Sequence, residues 1–175
     1  MRREVFISVD IEASGPIPGE YSMLSIGACN VYRPEQSFYC LLKPTGAKVD
    51  PEALAVTGLS LDTLQLEGLD AAEAMSTFSE WAMATSAGGT PVFVGLNAGF
   101  DWSFVNYYFV RYLETNPFGF SPLDIKAMYM GAKQCSWRET RSSAMKRVLG
   151  ATLSGNHNAL DDALFQAELF RLIRG

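Results

Sequence analysis

The sequence predicts an α/β fold: a mixed five-stranded sheet, three antiparallel strands followed by alternating helices and strands, flanked by helices. Three observations carry that reading. The N-terminal quarter holds three strand-like segments joined by short links, as consecutive antiparallel strands require. The remainder alternates helical-period stretches with single apolar runs, which return to the sheet by helical crossovers. No repeat or low-complexity tract interrupts this order, so residues 1–175 read as a single domain.

The first strand covers about residues 4–10, where Phe6-Ile7-Ser8-Val9 is β-branched and aromatic. Ser14-Gly15-Pro16-Ile17-Pro18-Gly19 is a loop by composition. Met23 to Tyr32 forms a second strand, Arg33-Pro34-Glu35-Gln36 a link, and Ser37 to Leu42 a third strand. Asp50-Pro51-Glu52 starts a short helix that Gly58 ends, and Ser60 caps another turn. Asp70, with Glu73 three residues on, resembles a capping box ahead of a helix through about Thr85. Pro91-Val92-Phe93-Val94-Gly95 is a fully apolar fourth strand, and a long helix runs from about Phe100 to Glu114. Leu123 to Lys126 is a short fifth strand, with helices near 140–149 and 158–173 closing the chain.

A hydrophobic content of 48% suits a chain that buries a sizeable core. No stretch approaches the roughly 20 continuous apolar residues of a membrane span, and the apolar run before Asp10 is too short for a signal peptide. The expectation is a cytoplasmic protein without membrane contact. Cys29, Cys40 and Cys135 match neither a disulfide framework nor a zinc cluster and read as reduced thiols. The net charge of −5 argues against holding long nucleic acid by bulk attraction. One basic run stands out: Lys126, Lys133, Arg138, Arg141, Lys146 and Arg147, against only Asp124 and Glu139. A solvated helix face is the plain alternative for it.

Asp10 and Glu12 sit two apart, and strand period puts both on one face while Ile11 points back into apolar packing. Two carboxylates side by side on a core strand repel and lose solvation, which is costly unless a cation lies between them. Asp101, after Asn97-Ala98-Gly99-Phe100, is either a dipole partner in a first helical turn or a third carboxylate facing that pair. His157, the only histidine, lies in a polar loop where an imidazole can accept a proton near neutral pH. Asp161 and Asp162 flank the apolar stripe of the last helix, and periodicity does not choose between them.

Taken in order, Val9-Asp10-Ile11-Glu12, Asn97-Ala98-Gly99-Phe100-Asp101 and His157-Asn158-Ala159-Leu160-Asp161-Asp162 resemble the three motifs of the DEDDh, DnaQ-like 3′–5′ exonucleases. The resemblance covers about residues 4–173, and Lys43-Pro44 through Ser60 also resembles the segment between the first two motifs. It implies an RNase H-like fold, two Mg²⁺ or Mn²⁺ ions, and release of nucleoside monophosphates from single-stranded RNA or DNA 3′ ends. Under it Asp10, Glu12, Asp101 and Asp162 are the metal-binding acids, and His157 is the general base. Asp162 is preferred to Asp161 because the family places its last acid five residues after the histidine. Oxygen ligands suit hard divalent ions, and a pair of them can activate water and stabilise a leaving 3′ oxygen.

Ser14, Gly15, Asn97 and Phe100 are the candidate substrate contacts, with Ala13 where relatives often carry threonine and Pro16 where a bulky wedge is common. Trp102, Tyr107 and Tyr108 are either base-stacking groups or packing. Relatives suggest a homodimer, for which the aromatics around Tyr107 and Phe109 would supply an interface. The competing expectations are a catalytically silent nucleic-acid-binding module on the same fold and an RNase H-type endonuclease.

Overall fold

The computed structural model describes residues 3–175, so Met1 and Arg2 of the expected domain lie outside the described residues. Five strands, β1 (Glu4–Ala13), β2 (Met23–Asn30), β3 (Arg33–Leu41), β4 (Thr90–Gly95) and β5 (Leu123–Asp124), form one sheet in the order β3-β2-β1-β4-β5. The first three are antiparallel, whereas β4 runs parallel to β1 and to β5, which is the mixed sheet expected. Helices α1 (Pro51–Thr57), α2 (Leu61–Glu67) and α3 (Ala71–Ser86) precede β4, and α4 (Gly99–Leu113) follows it. After β5 come α5 (Ile125–Lys133), a 3₁₀ turn (Trp137–Thr140), α6 (Ser142–Leu149) and α7 (Ala159–Arg174).

Alternation along β1 divides the core. Val5, Ile7, Val9, Ile11 and Ala13 enter an apolar cluster with Phe78 of α3 and Phe104 and Phe109 of α4. On the other face Phe6 joins Val94, Phe165 and Phe170 beneath α7. Strand β4 pairs with β1 only from Glu4 to Ser8, so Asp10 and Glu12 stand on the part of β1 that extends beyond it. That leaves an opening at the carboxyl ends of the parallel strands, where ligands gather in open α/β sheets. Among the described residues no helix is long and apolar enough to cross a membrane.

Four local expectations need correction. The link Arg33–Gln36 belongs to β3, because Asn30 closes a tight hairpin by accepting from the Tyr32 amide and donating to Gln36. Pro34 is tolerated there because β3 is an edge strand. Asp70 makes no cap hydrogen bond, since its carboxylate accepts from Lys43 Nζ (3.1 Å) instead. Asp124 caps α5 by accepting from the Ala127 amide, so the fifth strand stops at Asp124 and an unexpected helix begins. Tyr108 and Phe109 are buried, the Tyr108 hydroxyl accepting from the Met23 amide (2.9 Å), which removes both from any exposed aromatic surface.

Candidate active site

Three elements bring the acids together. Asp10 and Glu12 project from β1 towards α7, opposite Gly27 and Ser25 of β2. Gly27 decides how near α7 can come: a Cβ there would lie 2.1 Å from the Ala159 backbone carbon. Without a side chain at that point, the first turn of α7 rests on the sheet beside Asp10. Asn158 caps the helix by accepting from the Leu160 and Asp161 amides, and this sets the rotation of the turn. Asp162 then faces the β1 acids. Asp161 points to the exposed side, where Asn156 Nδ2 donates to it (2.7 Å). Asp101 is 4% exposed in the first turn of α4 and accepts from the Ile11 amide (3.1 Å).

The backbone around His157 is tied to the same cluster. The amides of Asn156 (2.8 Å) and His157 (3.2 Å) donate to the two oxygens of Asp162. His157 itself is exposed, with φ at 62°, so its ring is held at the rim rather than in the core. Glu12, His157 and Asp162 each bring a ligand atom within 4.8 Å of the others. A cleft of about 400 Å³ lies against these groups, lined among others by Asp10, Leu96, Lys146, His157, Asp162 and Gln166.

The acids pay electrostatically for this proximity. Burial, followed by repulsion from Asp162 and Asp101, pushes Glu12 up to about 8. Burial likewise raises Asp101 to about 7, against the lowering effect of the Ile11 amide. Asp10 is held well above the usual carboxylate range, first by burial and then by Asp101, Asp162 and Glu12. Such a set takes up protons unless a cation neutralises it. The donors are carboxylate oxygens with one imidazole nitrogen and no thiolate, a set that fits hard divalent ions such as Mg²⁺ or Mn²⁺.

The expected substrate contacts are placed unevenly. The Ser14 hydroxyl is buried, accepting from the Ser22 amide (2.9 Å) and donating to the Lys48 carbonyl (3.2 Å), so it braces the loop. Gly15 lies flat on the Tyr21 ring, where a Cβ would come within 2.0 Å of Cδ1. Gly15 and Phe100 share a second cleft with Glu12. Asn97 is exposed with φ at 64°, and its carbonyl accepts from the Phe100 amide at the turn into α4.

Sequence reasoning missed Gln166. It is 3% exposed, and its Nε2 donates to Asp10 Oδ1 (2.6 Å) while its Oε1 accepts from the Leu96 amide (2.9 Å). One side chain thereby joins α7, β1 and the end of β4. A signal for it existed: an amide one helical turn beyond Asp162, on the face that otherwise carries alanine and phenylalanine.

Comparison with known proteins is consistent with this arrangement. The RNase T family model, described as an exonuclease, matches residues 7–170. The 3′–5′ DNA exonuclease Cap18 of Escherichia coli is 55% identical over 172 residues, covering 98% of this chain and 92% of Cap18. The nuclease domain of 3′hExo, a DEDDh family member bound to rAMP, superposes with a TM-score of 0.78 at 16% identity, covering 97% of this chain and 90% of that one. E. coli exonuclease I in complex with a dT13 oligonucleotide superposes at 0.75 with 17% identity, covering 98% of this chain and 41% of that one.

Proposed function

This chain belongs to the RNase T exonuclease family and is a 3′–5′ exonuclease, and from that premise we propose that residues 1–175 act as one domain on single-stranded DNA 3′ ends. DNA is preferred to RNA on the strength of the Cap18 relative. The observation that carries the mechanism is the convergence of Asp10, Glu12, Asp101 and Asp162, whose mutual repulsion makes them a receptor for divalent cations. These four would hold two Mg²⁺ or Mn²⁺ ions. When bound, such a pair supplies Lewis acidity to the attacking water and to the departing 3′ oxygen.

The chain's own groups do the remaining work. His157, exposed at the rim and within 4.8 Å of Glu12 and Asp162, takes the proton from the attacking water. The Asn156 and His157 amides fix both oxygens of Asp162, so the base and that acid are positioned as one unit. Gln166 orients Asp10 in the same way. The second cleft, lined by Gly15 and Phe100 beside Glu12, receives the terminal nucleotide. Backbone approach at Gly15 and an aromatic face at Phe100 suit a sugar and base without selecting sequence.

A 5′-labelled single-stranded DNA oligomer incubated with Mn²⁺ tests this reading. Expected is a ladder shortening from the 3′ end with release of mononucleotides, abolished by EDTA, while circular single-stranded DNA stays intact. His157→Ala should slow the reaction roughly a hundredfold, the usual cost of losing a general base. Nicking of the circle would make the enzyme an endonuclease, and faster digestion of a matched RNA strand would reverse the DNA assignment. No product under any condition would leave a silent binding module.

A further inference from the structure

The segment Asp124–Arg147 carries six bases against two acids, whereas the rest of the chain carries eight against seventeen. It folds into α5, the 3₁₀ turn and α6, which pack on one another, with α6 and α5 also packed on α7. None of the six bases is in an ion pair among the described residues; the pairs Lys43–Asp70 and Lys48–Glu20 lie elsewhere. Neither acid is in an ion pair with them among the described residues. Asp124 accepts from the Ala98 and Ala127 amides, and Glu139 accepts from the amide and hydroxyl of Ser136. Lys133, Arg138, Arg141 and Arg147 are exposed.

Trp137 sits in the middle of this edge, 53% exposed, with Lys126 Nζ 4.3 Å from its ring centroid. A tryptophan with one face against a cation and about half its surface in water offers a π-face for stacking. The edge also reaches the active site, since Lys146 of α6 lines the same cleft as Asp10 and His157.

We propose that the α5–3₁₀–α6 edge is the strand-binding surface that takes the nucleotides on the 5′ side of the terminal residue. Trp137 stacks on a base, and Arg138 and Arg141 contact backbone phosphates. The proposal rests on the exonuclease reading, because a strand whose 3′ end lies among the carboxylates extends away as a polyanion. Across a protein of net charge −5, this edge is the stretch that attracts it. Sequence-independent affinity of this kind needs charge and stacking, not base-edge hydrogen bonds.

Steady-state kinetics on two substrates provide the test: a long single-stranded DNA, and the p-nitrophenyl ester of thymidine 5′-monophosphate, which has no upstream nucleotides. On the long strand Trp137→Ala should raise KM about tenfold while kcat holds, in line with the stacking of one base. Arg138→Ala with Arg141→Ala should lower the salt slope of log KM by about 1.4, at about 0.7 per phosphate contact. In both variants the ratio of kcat/KM on strand to ester should fall. Wild-type KM and salt slope in both variants overturn the proposal, as does a loss of equal size on the ester. Polyglutamate inhibiting as strongly as DNA of equal charge also overturns it, by assigning the edge to acidic polypeptides. Wild-type protein inactive on both substrates would instead remove the exonuclease reading beneath it.

Discussion

Val5, Ile7, Val9 and Ile11 line one face of β1 and vanish into the aromatic packing of α3 and α4, each 7% exposed or less. Phe6, Ser8, Asp10 and Glu12 line the other face and change character along the strand. Phe6 packs on Phe170, with ring centroids 5.1 Å apart, but four and six residues further on come the acids Asp10 and Glu12 under the start of α7. One strand thus serves two opposed ends. The apolar face supplies stabilisation, and the acidic face spends part of it by holding like charges together. The difference teaches that a cluster of like charges of this kind rests on the strength of the face behind it.

The largest break in that comparison comes from Asp10→Ala. Hydrolysis should fall about 10⁴-fold or more, over about 5 kcal/mol of transition-state stabilisation, in single-turnover assays with saturating Mn²⁺. In EDTA the variant should melt no lower than wild type, because removing Asp10 relieves Glu12 and Asp101. A clear drop in that melting temperature would contradict the repulsion argument. Phe78→Ala attacks the opposite face. Phe78 is fully buried and stacks on Phe109 (5.6 Å), so its loss should cost about 3–5 kcal/mol in denaturant unfolding. The surviving folded protein should keep its kcat, and a matching fall in kcat would mean the two faces are not separable.

Proton linkage sharpens the contrast. Glu12 and Asp101 stand at about 8 and about 7 in the folded protein, against 4.5 and 3.8 for free carboxyls. The folded, metal-free protein therefore binds more protons than the unfolded chain between these limits. Stability is highest below about pH 4 on this account and is lost as pH rises towards about 8. Bound divalent metal favours the ionised acids and should flatten or reverse that slope. Urea unfolding at about pH 5 and about pH 8, with EDTA and with Mn²⁺, measures it. Equal stabilities at the two values in EDTA would remove the buried-charge account.

Asp10 and Glu12 were legible in the sequence because strand period alone puts them on one face. Asp101 and Asp162 needed the motif resemblance, since a first-turn acid is ambiguous by itself: Asp161 is exposed and Asp162 faces inward. What failed depended on distant partners. Asp70 carries a good capping pattern, but Lys43, from the end of the β-meander, takes its carboxylate. Asp124 looks like strand residue and is a cap that also accepts from the Ala98 amide (2.6 Å), tying α5 to the turn after β4. Gly27 appears in a strand of small residues, and nothing local says that the first turn of a helix far along the chain must rest on it.

Gln166 gives the smallest effect and the finest test of how the acidic face is organised. Its amide donates to Asp10 and its carbonyl accepts from Leu96, so it fills space and orients a carboxylate at once. Gln166→Met keeps most of the volume but cannot donate, and it leaves the Leu96 amide without its partner. Loss of a group that orients a metal-binding carboxylate typically costs 10–100-fold in metal affinity. The Mn²⁺ concentration for half-maximal activity should therefore rise about tenfold in Gln166→Met, while kcat at saturating metal changes less. Gln166→Glu keeps the shape and adds a negative charge beside Asp10, so it should bind metal at least as strongly only if charge outweighs orientation. A wild-type metal requirement in Gln166→Met, measured by calorimetry as well as by activity, would mean that Gln166 merely packs and that β1 alone holds Asp10 in place.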